Sequence, residues 1–166
     1  TPLRSLRSQT FDALQQLDEK KQSNEVVVIN IGEKSLDTWG QWAWPRQNIA
    51  QLISDLRNKN AGMIGLTIMF PEQDRFGGDA VLQSWMSDNG IILSQTPSGK
   101  GTRSSGPHIG TATIGPEPAT NYLLTWPNLV TNIEPLESVA AGIGVVATEP
   151  QPDNQTRTYP LAITVG

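Results

Sequence analysis

The stretch that decides the fold spans residues 26–70 and reads VVVINIGEKSLDTWGQWAWPRQNIAQLISDLRNKNAGMIGLTIMF. It opens with a β-branched apolar run, Val26–Ile31, and closes with a second apolar run, Met63–Phe70. Between them, Pro45 suits the first turn of a helix, because its missing N–H has no partner there in any case. The residues that follow place an apolar face at helical spacing: Ile49, Leu52, Ile53 and Leu56. Two strands joined by a helix predict a βαβ unit with parallel strands and a right-handed crossover.

The pattern continues beyond this unit. Asn60 and Gly62 favour the end of its helix, and the loop 71–79 follows the second strand, at the edge where open α/β sheets bind ligands. Asp79 is predicted to be the N-cap of a second helix, and a third strand begins at Ile91. The apolar face of this second helix is predicted to contain Val81, Leu82, Trp85 and Met86. Residues 26–95 are therefore predicted to form a βαβαβ core with three strands and two helices.

The N-terminal residues 1–22 are predicted to form a connector helix. Its apolar stripe recurs near a 3.5-residue period and consists of Leu3, Leu6, Thr10, Leu14 and Leu17. Two interpretations remain open for this stripe. It either packs on the rest of the domain, or it transmits movement and pairs with a second copy of the chain.

The C-terminal half has less regular patterning. Residues 96–125 are predicted to be a long loop region, because they have no hydrophobic period and few apolar residues. In residues 126–166, two predicted strands at 142–147 and 156–165 flank a segment rich in turn-forming residues, and this pattern predicts an antiparallel hairpin. We expect the chain to be cut short here, inside a longer protein. The predicted fold is one α/β domain. It has a mixed sheet with a parallel βαβ core, an N-terminal amphipathic helix and a C-terminal antiparallel hairpin.

Composition excludes several classes of function. The net charge of −4 and the absence of a basic patch argue against nucleic acid as a partner. The chain has no cysteine, which excludes disulfides and thiolate chemistry, and it has one histidine, which removes most hydrolytic triads and transition-metal sites. We expect neither a metal site nor a cofactor. No apolar run approaches the roughly 18 to 20 residues that span a bilayer.

The tryptophan-rich turn before the helix offers the most informative candidate site. Indole rings are usually buried, so Trp44 is a structural plug in one interpretation. In the other, Trp44 and Arg46 line a recess for an anion or a planar ligand. Arg46 lies in the first turn of a helix, where the helix dipole disfavours a cation, and it therefore needs a compensating partner. We expect an ion pair from Arg46 to Glu72 or Asp74.

These residues carry a family resemblance. The chain resembles the second class of CHASE domains, which are extracellular sensory domains associated with cyclases and histidine kinases. In the first half the similar residues are Val26–Ile31, Ser35, Leu36, Gly40, Trp42, Trp44, Pro45, Arg46, Leu52, Ile68, Met69, Phe70, Glu72, Asp74 and Arg75. Near the C-terminus they are Pro152, Asp153, Thr156, Arg157, Pro160 and Leu161, which look like the family's P-D-x-D-G-x-x-R-x-x-P-L hairpin. The resemblance adds Arg75 to the ligand-binding candidates Trp44, Arg46, Glu72 and Asp74.

The chain also departs from the family pattern at the ends of the predicted strands. Where family members carry acidic residues, this chain has Asn30, Gly32 and Thr67. The resemblance therefore gives less support for a ligand site at the carboxyl edge of the predicted sheet.

The resemblance implies the input domain of a bacterial membrane receptor on the periplasmic or extracellular face of the plasma membrane. Transmembrane helices outside residues 1–166 would anchor it, a homodimer is expected, and an unknown small ligand would signal to a cytoplasmic cyclase or kinase. A competing hypothesis is a dimerisation or interaction module without a small ligand. A third is an α/β enzyme with carboxylate chemistry at Glu72 and Asp74, which we rank below both because nothing in the sequence indicates a catalytic pair.

Overall fold

The computed structural model describes residues 2–17, 23–99, 119–147 and 153–165. The chain forms two compact units, Thr1–Gly40 and Gln41–Gly166. The first unit contains helix α1 (Pro2–Leu17) and helix α2 (Glu33–Trp39). Helix α1 confirms the predicted N-terminal helix. No helix among the described residues is both long enough and apolar enough to span a membrane.

The predicted first strand, Val26–Ile31, is wrong. The structure assigns no regular secondary structure to these residues, and Val28 is 87% exposed. The physical reason is that β-branched side chains favour an extended backbone but supply no hydrogen-bond partner for it. A strand exists only where a neighbouring strand completes the ladder, so β propensity depends strongly on context.

The second unit alternates helices and strands along the chain. Its elements are α3 (Arg46–Asn58), β1 (Ile64–Leu66), α4 (Asp79–Met86), β2 (Ile91–Ser98), a 3-10 turn (Ala119–Tyr122), β3 (Leu124–Trp126), β4 (Asn128–Val130), α5 (Glu134–Glu137), β5 (Gly142–Val145) and β6 (Ile163–Val165).

Helix α3 agrees with its sequence signals. It follows Pro45, which is its N-cap residue, and it buries Ile49 and Ile53 completely. Asn60, just beyond the helix, has a φ of 62°, the left-handed conformation that asparagine tolerates better than most residues. This turn directs the N–H of Ala61 back to the carbonyl oxygen of Leu56 at 3.0 Å, which satisfies one of the free carbonyls at the end of the helix.

Strand β2 is the centre of the main sheet. It pairs in parallel with β1, in the register Ile64 to Ile91, and in parallel with β5, in the register Ile92 to Gly142. Strand β4 pairs antiparallel with the C-terminal half of β2. Strand β1, helix α4 and strand β2 therefore form the βαβ unit of this structure, and the predicted α/β class with parallel strands is confirmed.

The predicted C-terminal hairpin is wrong. Strand β5 pairs in parallel with β2, and β6 pairs in parallel with β3 in a separate two-stranded sheet. Turn residues and alternation identify segments that can be strands, but they do not determine which neighbour completes each ladder. Strand β2 also continues to Ser98, three residues into the segment predicted to be loop. Residues 100–118 of that predicted loop, including His108, lie outside the described residues, as do residues 148–152 of the predicted turn.

The hydrophobic core of the second unit lies between the helices and the main sheet. Its largest fully buried apolar side chains are Ile49, Ile53, Phe70, Leu82, Met86, Ile91, Leu93 and Leu136. Of the face predicted for α4, Leu82 and Met86 are buried, whereas Val81 and Trp85 are partly exposed. Phe70 follows β1 and brings the loop 71–79 to the N-terminal ends of α3 and α4, where the candidate site lies.

Candidate functional site

A cluster of three charged residues, which we call the Arg46 cluster, joins the starts of two helices. It consists of Arg46, Asp74 and Asp79. Arg46 is the first residue of α3, Asp79 is the first residue of α4, and Asp74 lies in the loop between β1 and α4. The fold of the second unit thus brings together three residues that are up to 33 positions apart in the sequence (79 − 46).

The carboxylate of Asp74 caps both helices. Its Oδ2 atom accepts a hydrogen bond from the N–H of Arg46 at 3.2 Å and another from the N–H of Gly78, the N-cap of α4, at 3.0 Å. Neither helix has a side-chain cap from its own N-cap residue, so Asp74 provides the acceptor from outside the helices. A negative charge at a helix N-terminus satisfies free N–H groups and complements the helix dipole.

The absence of a side chain at Gly78 makes this double cap possible. A Cβ atom added at Gly78 would lie 2.8 Å from Oδ2 of Asp74 and would overlap the side-chain amide of Gln47. The close approach of the backbone to Asp74 therefore requires glycine at this position.

The guanidinium of Arg46 completes a closed ring of contacts. Its Nε atom lies 3.3 Å from Oδ1 of Asp79, and the other carboxylate oxygen of Asp79 accepts the N–H of Asp74 at 2.8 Å. One Nη atom of Arg46 also donates to the carbonyl oxygen of Glu72 at 2.9 Å. The side chains of Arg46 and Asp79 are 12% and 21% exposed, so solvent screens this ion pair less than it would screen one at the surface.

The predicted ion pair from Arg46 to Glu72 or Asp74 is therefore partly wrong. Arg46 contacts both Glu72 and Asp74, but through the carbonyl oxygen of Glu72 and through its own backbone N–H. Its ion-pair partner is Asp79, which was predicted to be an N-cap. Asp79 instead occupies the first helical position, and Gly78 is the N-cap. A carboxylate in the first turn can still face the helix start. Spacing alone therefore does not distinguish an N-cap residue from the first residue of the helix.

The environment of Asp74 lowers the pKa of its carboxyl group below the usual value of 3.8. Partial burial is the largest single effect and raises the pKa. The hydrogen bonds from the N–H groups of Arg46, Gly78 and Phe76, together with the positive charge of Arg46, outweigh it. The charged form of Asp74 is therefore the form that the two helix starts stabilise.

The other candidate residues occupy two different settings. Trp44 is 8% exposed and its ring centroid lies 5.6 Å from that of Trp42, at 58° between the planes, an arrangement typical of packed aromatic pairs. Arg75 and the side chain of Glu72 are exposed, and the guanidinium of Arg75 lies 4.9 Å from the ring centroid of Phe76. A ligand-binding role for these residues stays a prediction.

A buried polar network on β2 and α5 was missed by the sequence analysis. Oε1 of Glu137 accepts hydrogen bonds from Gln95 Nε2 at 2.6 Å and from the N–H of Asn132 at 2.9 Å. All three residues are buried, and Glu137 is fully buried. The signal in the sequence was weak, because a glutamate in a four-residue helix resembles an ordinary first-turn acid. Only the pairing of the strands brings Gln95 next to it.

A second Arg–Asp pair lies in the C-terminal segment that carries the family resemblance. Arg157 donates two hydrogen bonds to the carboxylate of Asp153, at 3.0 and 2.7 Å. These bonds are the main cause that lowers the pKa of Asp153 below its usual value. Asn154, between them, has a φ of 63°, which the turn requires. The Asp and Arg of the family-like motif thus form one local bidentate pair.

The charged side chains of the Arg46 cluster are engaged in structural contacts. No group of three or more His, Cys, Asp or Glu side chains among the described residues could hold a metal ion. Thr67, at one of the positions where relatives carry an acid, is exposed. The carboxylate of Asp74 accepts backbone N–H groups, so it is not held as a free general acid or base.

Comparison with known families identifies the class as that of extracellular sensory domains of signalling receptors. The family model described as "CHASE2 domain" matches residues 1–166, which is the whole chain, and the chain therefore belongs to the CHASE2 domain family. Membership confirms the resemblance seen in the sequence, and the family is sensory rather than catalytic. No curated protein and no solved structure matches the chain.

The lowered pKa of Asp74 predicts a specific loss of stability in acid. Because the native carboxyl binds its proton more weakly than the unfolded one, its contribution is fully present above about pH 4 and is lost as the pH falls through the lowered native pKa. Asp74→Asn should lower the free energy of unfolding at pH 6 and flatten its dependence on pH below 4. Urea unfolding at several pH values measures both effects. Asp55→Asn, on the exposed face of α3, is the control for loss of one negative charge, and an equal flattening in it would contradict the assignment.

Substitution by lysine should have a large effect on stability at Arg46 and a small one at Arg75. Arg46→Lys should destabilise the chain by about 1–3 kcal/mol, because an ammonium group cannot contact both Asp79 and the carbonyl oxygen of Glu72 as the planar guanidinium does. Arg75→Lys should change stability by less than about 0.5 kcal/mol, because Arg75 is exposed. Urea unfolding of both variants at pH 7 makes the comparison. Equal effects of the two substitutions would show that the Arg46 cluster has no special structural role.

Proposed function

We propose that this chain is the extracytoplasmic input domain of a bacterial transmembrane receptor, and that it relays a signal to a cytoplasmic cyclase or kinase. The observation that carries the proposal is the match of the CHASE2 family model along all 166 residues. The structure is consistent with a role in sensing, because the charged side chains of the Arg46 cluster hold one loop against two helix starts.

The loop 71–79 is the proposed ligand-contacting surface. It lies at the carboxyl end of β1, the edge where open α/β sheets bind ligands. Arg46 and Asp74 hold this loop from within, and Trp44 is buried beside the start of α3. Glu72 and Arg75 keep exposed side chains, so we propose that these two contact a small ligand directly and that the other three position them.

The location is tested by labelling, since the chain contains no cysteine. In the full receptor expressed in its membrane, an Ala80→Cys variant should react with a membrane-impermeant maleimide in intact cells, because Ala80 is exposed on α4. A Ser54→Cys variant is the matched control. Ser54 is buried in α3, so its thiol should react only after denaturation. Labelling of Ala80→Cys that requires permeabilised cells would place the domain in the cytoplasm and contradict the proposal.

A second candidate function is dimerisation, and one observation favours it. Three leucines of α1 are strongly exposed, with Leu6 and Leu14 at 61% and Leu17 at 81%. They follow a spacing near 3.5 residues, which is the spacing of a coiled-coil seam. A second copy of the same helix is the partner that such a stripe fits, and pairing of two α1 helices would define the geometry of a receptor dimer.

Cysteine cross-linking in the full receptor tests this pairing. Single cysteines at Leu6 and Leu17 should form disulfide-linked dimers under mild oxidation, because they lie on the apolar stripe. A cysteine at Gln15, about half a turn away around the helix, is the matched control and should cross-link much less. Equal cross-linking at all three positions, or none at any, would contradict a dimer through this face.

A further inference from the structure

Phe70 links the Arg46 cluster to the buried polar network. Its ring lies under the guanidinium of Arg46, with 4.5 Å between the guanidinium carbon and the ring centroid. Its N–H donates to Oδ1 of Asn132 at 2.8 Å, and its carbonyl oxygen accepts the N–H of Ile133 at 2.8 Å. Phe70 is almost completely buried. It therefore cannot move without disturbing one contact or the other.

Asn132 is in turn held on its other sides. Its N–H donates to Oε1 of Glu137, and its side-chain Nδ2 donates to the carbonyl oxygen of Ser94 on β2 at 3.1 Å. Gln95, the next residue on β2, donates to the same oxygen of Glu137. The second carboxyl oxygen of Glu137 is buried and has no hydrogen-bond partner among the described residues. The few donors that Glu137 has are therefore costly to lose.

The geometry points to one coupled element in the interior of this domain. We propose that Phe70 transmits a displacement of the Arg46 cluster to the turn Asn132–Glu137 and to the middle of β2, so that the loop 71–79 and this turn change arrangement together. A closely packed interior has few intermediate positions, and small shifts at one end are passed on instead of being absorbed.

This inference deepens the proposed sensory function, because it names the path by which a ligand at the loop 71–79 would change the turn Asn132–Glu137. Its use in signalling rests on that function. The coupling itself is a property of this chain and can be measured without any receptor output. An experiment that finds no coupling is therefore distinguishable from one that contradicts the extracytoplasmic location or the relay of a signal.

Amide hydrogen exchange followed by NMR on this chain tests the coupling. Asp79→Asn weakens the ion pair of Arg46 while keeping its shape. We expect exchange of the N–H groups of Phe70 and Ile133 to become about tenfold faster or more. The N–H groups of Ile64 and Ala141, which bond to the carbonyl oxygens of Gly90 and Ile91 at 3.2 and 2.8 Å, are the controls and should stay within about twofold of the wild type.

The reciprocal experiment starts from the other end. Glu137→Gln should accelerate exchange of the N–H groups of Arg46 and Gly78, which both bond to Asp74, because coupling between two sites is mutual. Asp55→Asn, the same type of change as Asp79→Asn on the exposed face of α3, is the control and should change none of these amides. Arg46→Lys replaces Asp79→Asn if that variant does not fold.

Two outcomes would overturn the inference. In the first, Asp79→Asn accelerates exchange of the N–H groups of Phe70 and Ile133 and of the two control amides equally. This result would mean a general loss of stability without a specific path. In the second, Phe70 and Ile133 exchange at the wild-type rate although Arg46 and Gly78 exchange faster, which would mean that Phe70 absorbs the disturbance.

Discussion

The meeting of two helix N-termini at one carboxylate is the constraint on which the second unit depends. Asp74 accepts N–H groups from the starts of both α3 and α4, so the loop after β1 must bring its carboxylate to a single point between them. An external cap of this kind stabilises a helix by about 1 kcal/mol. Here one side chain does so for two helices. Glycine at position 78, the ion pair of Arg46 with Asp79 and the burial of Phe70 all keep that point in place.

The Arg46 cluster lies at the edge of the main sheet, after the parallel strand β1. The charges lie where α/β enzymes commonly bind substrates. Their hydrogen-bonding capacity, however, is directed at backbone groups and at one another. A cluster that joins two helices and a loop is suited to report a change in that loop, because any movement of the loop alters contacts at both helix starts. Membership of the CHASE2 family agrees with this interpretation.

The sequence predicted the helix α3 and the α/β class, because these depend on short-range patterns. Pro45, the apolar spacing from Ile49 and the left-handed turn at Asn60 are local signals, and the structure has each of them. The two wrong strand predictions concern pairing between distant segments. Val26–Ile31 has strand composition without a strand, and β5 and β6 pair with β2 and β3 instead of with each other. The ion pair between Arg46 and Asp79 and the Asn132–Glu137 network were missed for the same reason, since the partners are known only once the sheet is assembled.

The most direct test of the account is the pH titration of two backbone amides by NMR. If one carboxylate caps both helices, the N–H resonances of Arg46 and Gly78 should shift together as the pH is lowered. Both should follow a single midpoint below 3.8, which is that of Asp74, and both shifts should vanish in Asp74→Asn. Two different midpoints, or titration of either amide in the Asp74→Asn variant, would show that the two helix starts do not share this carboxylate.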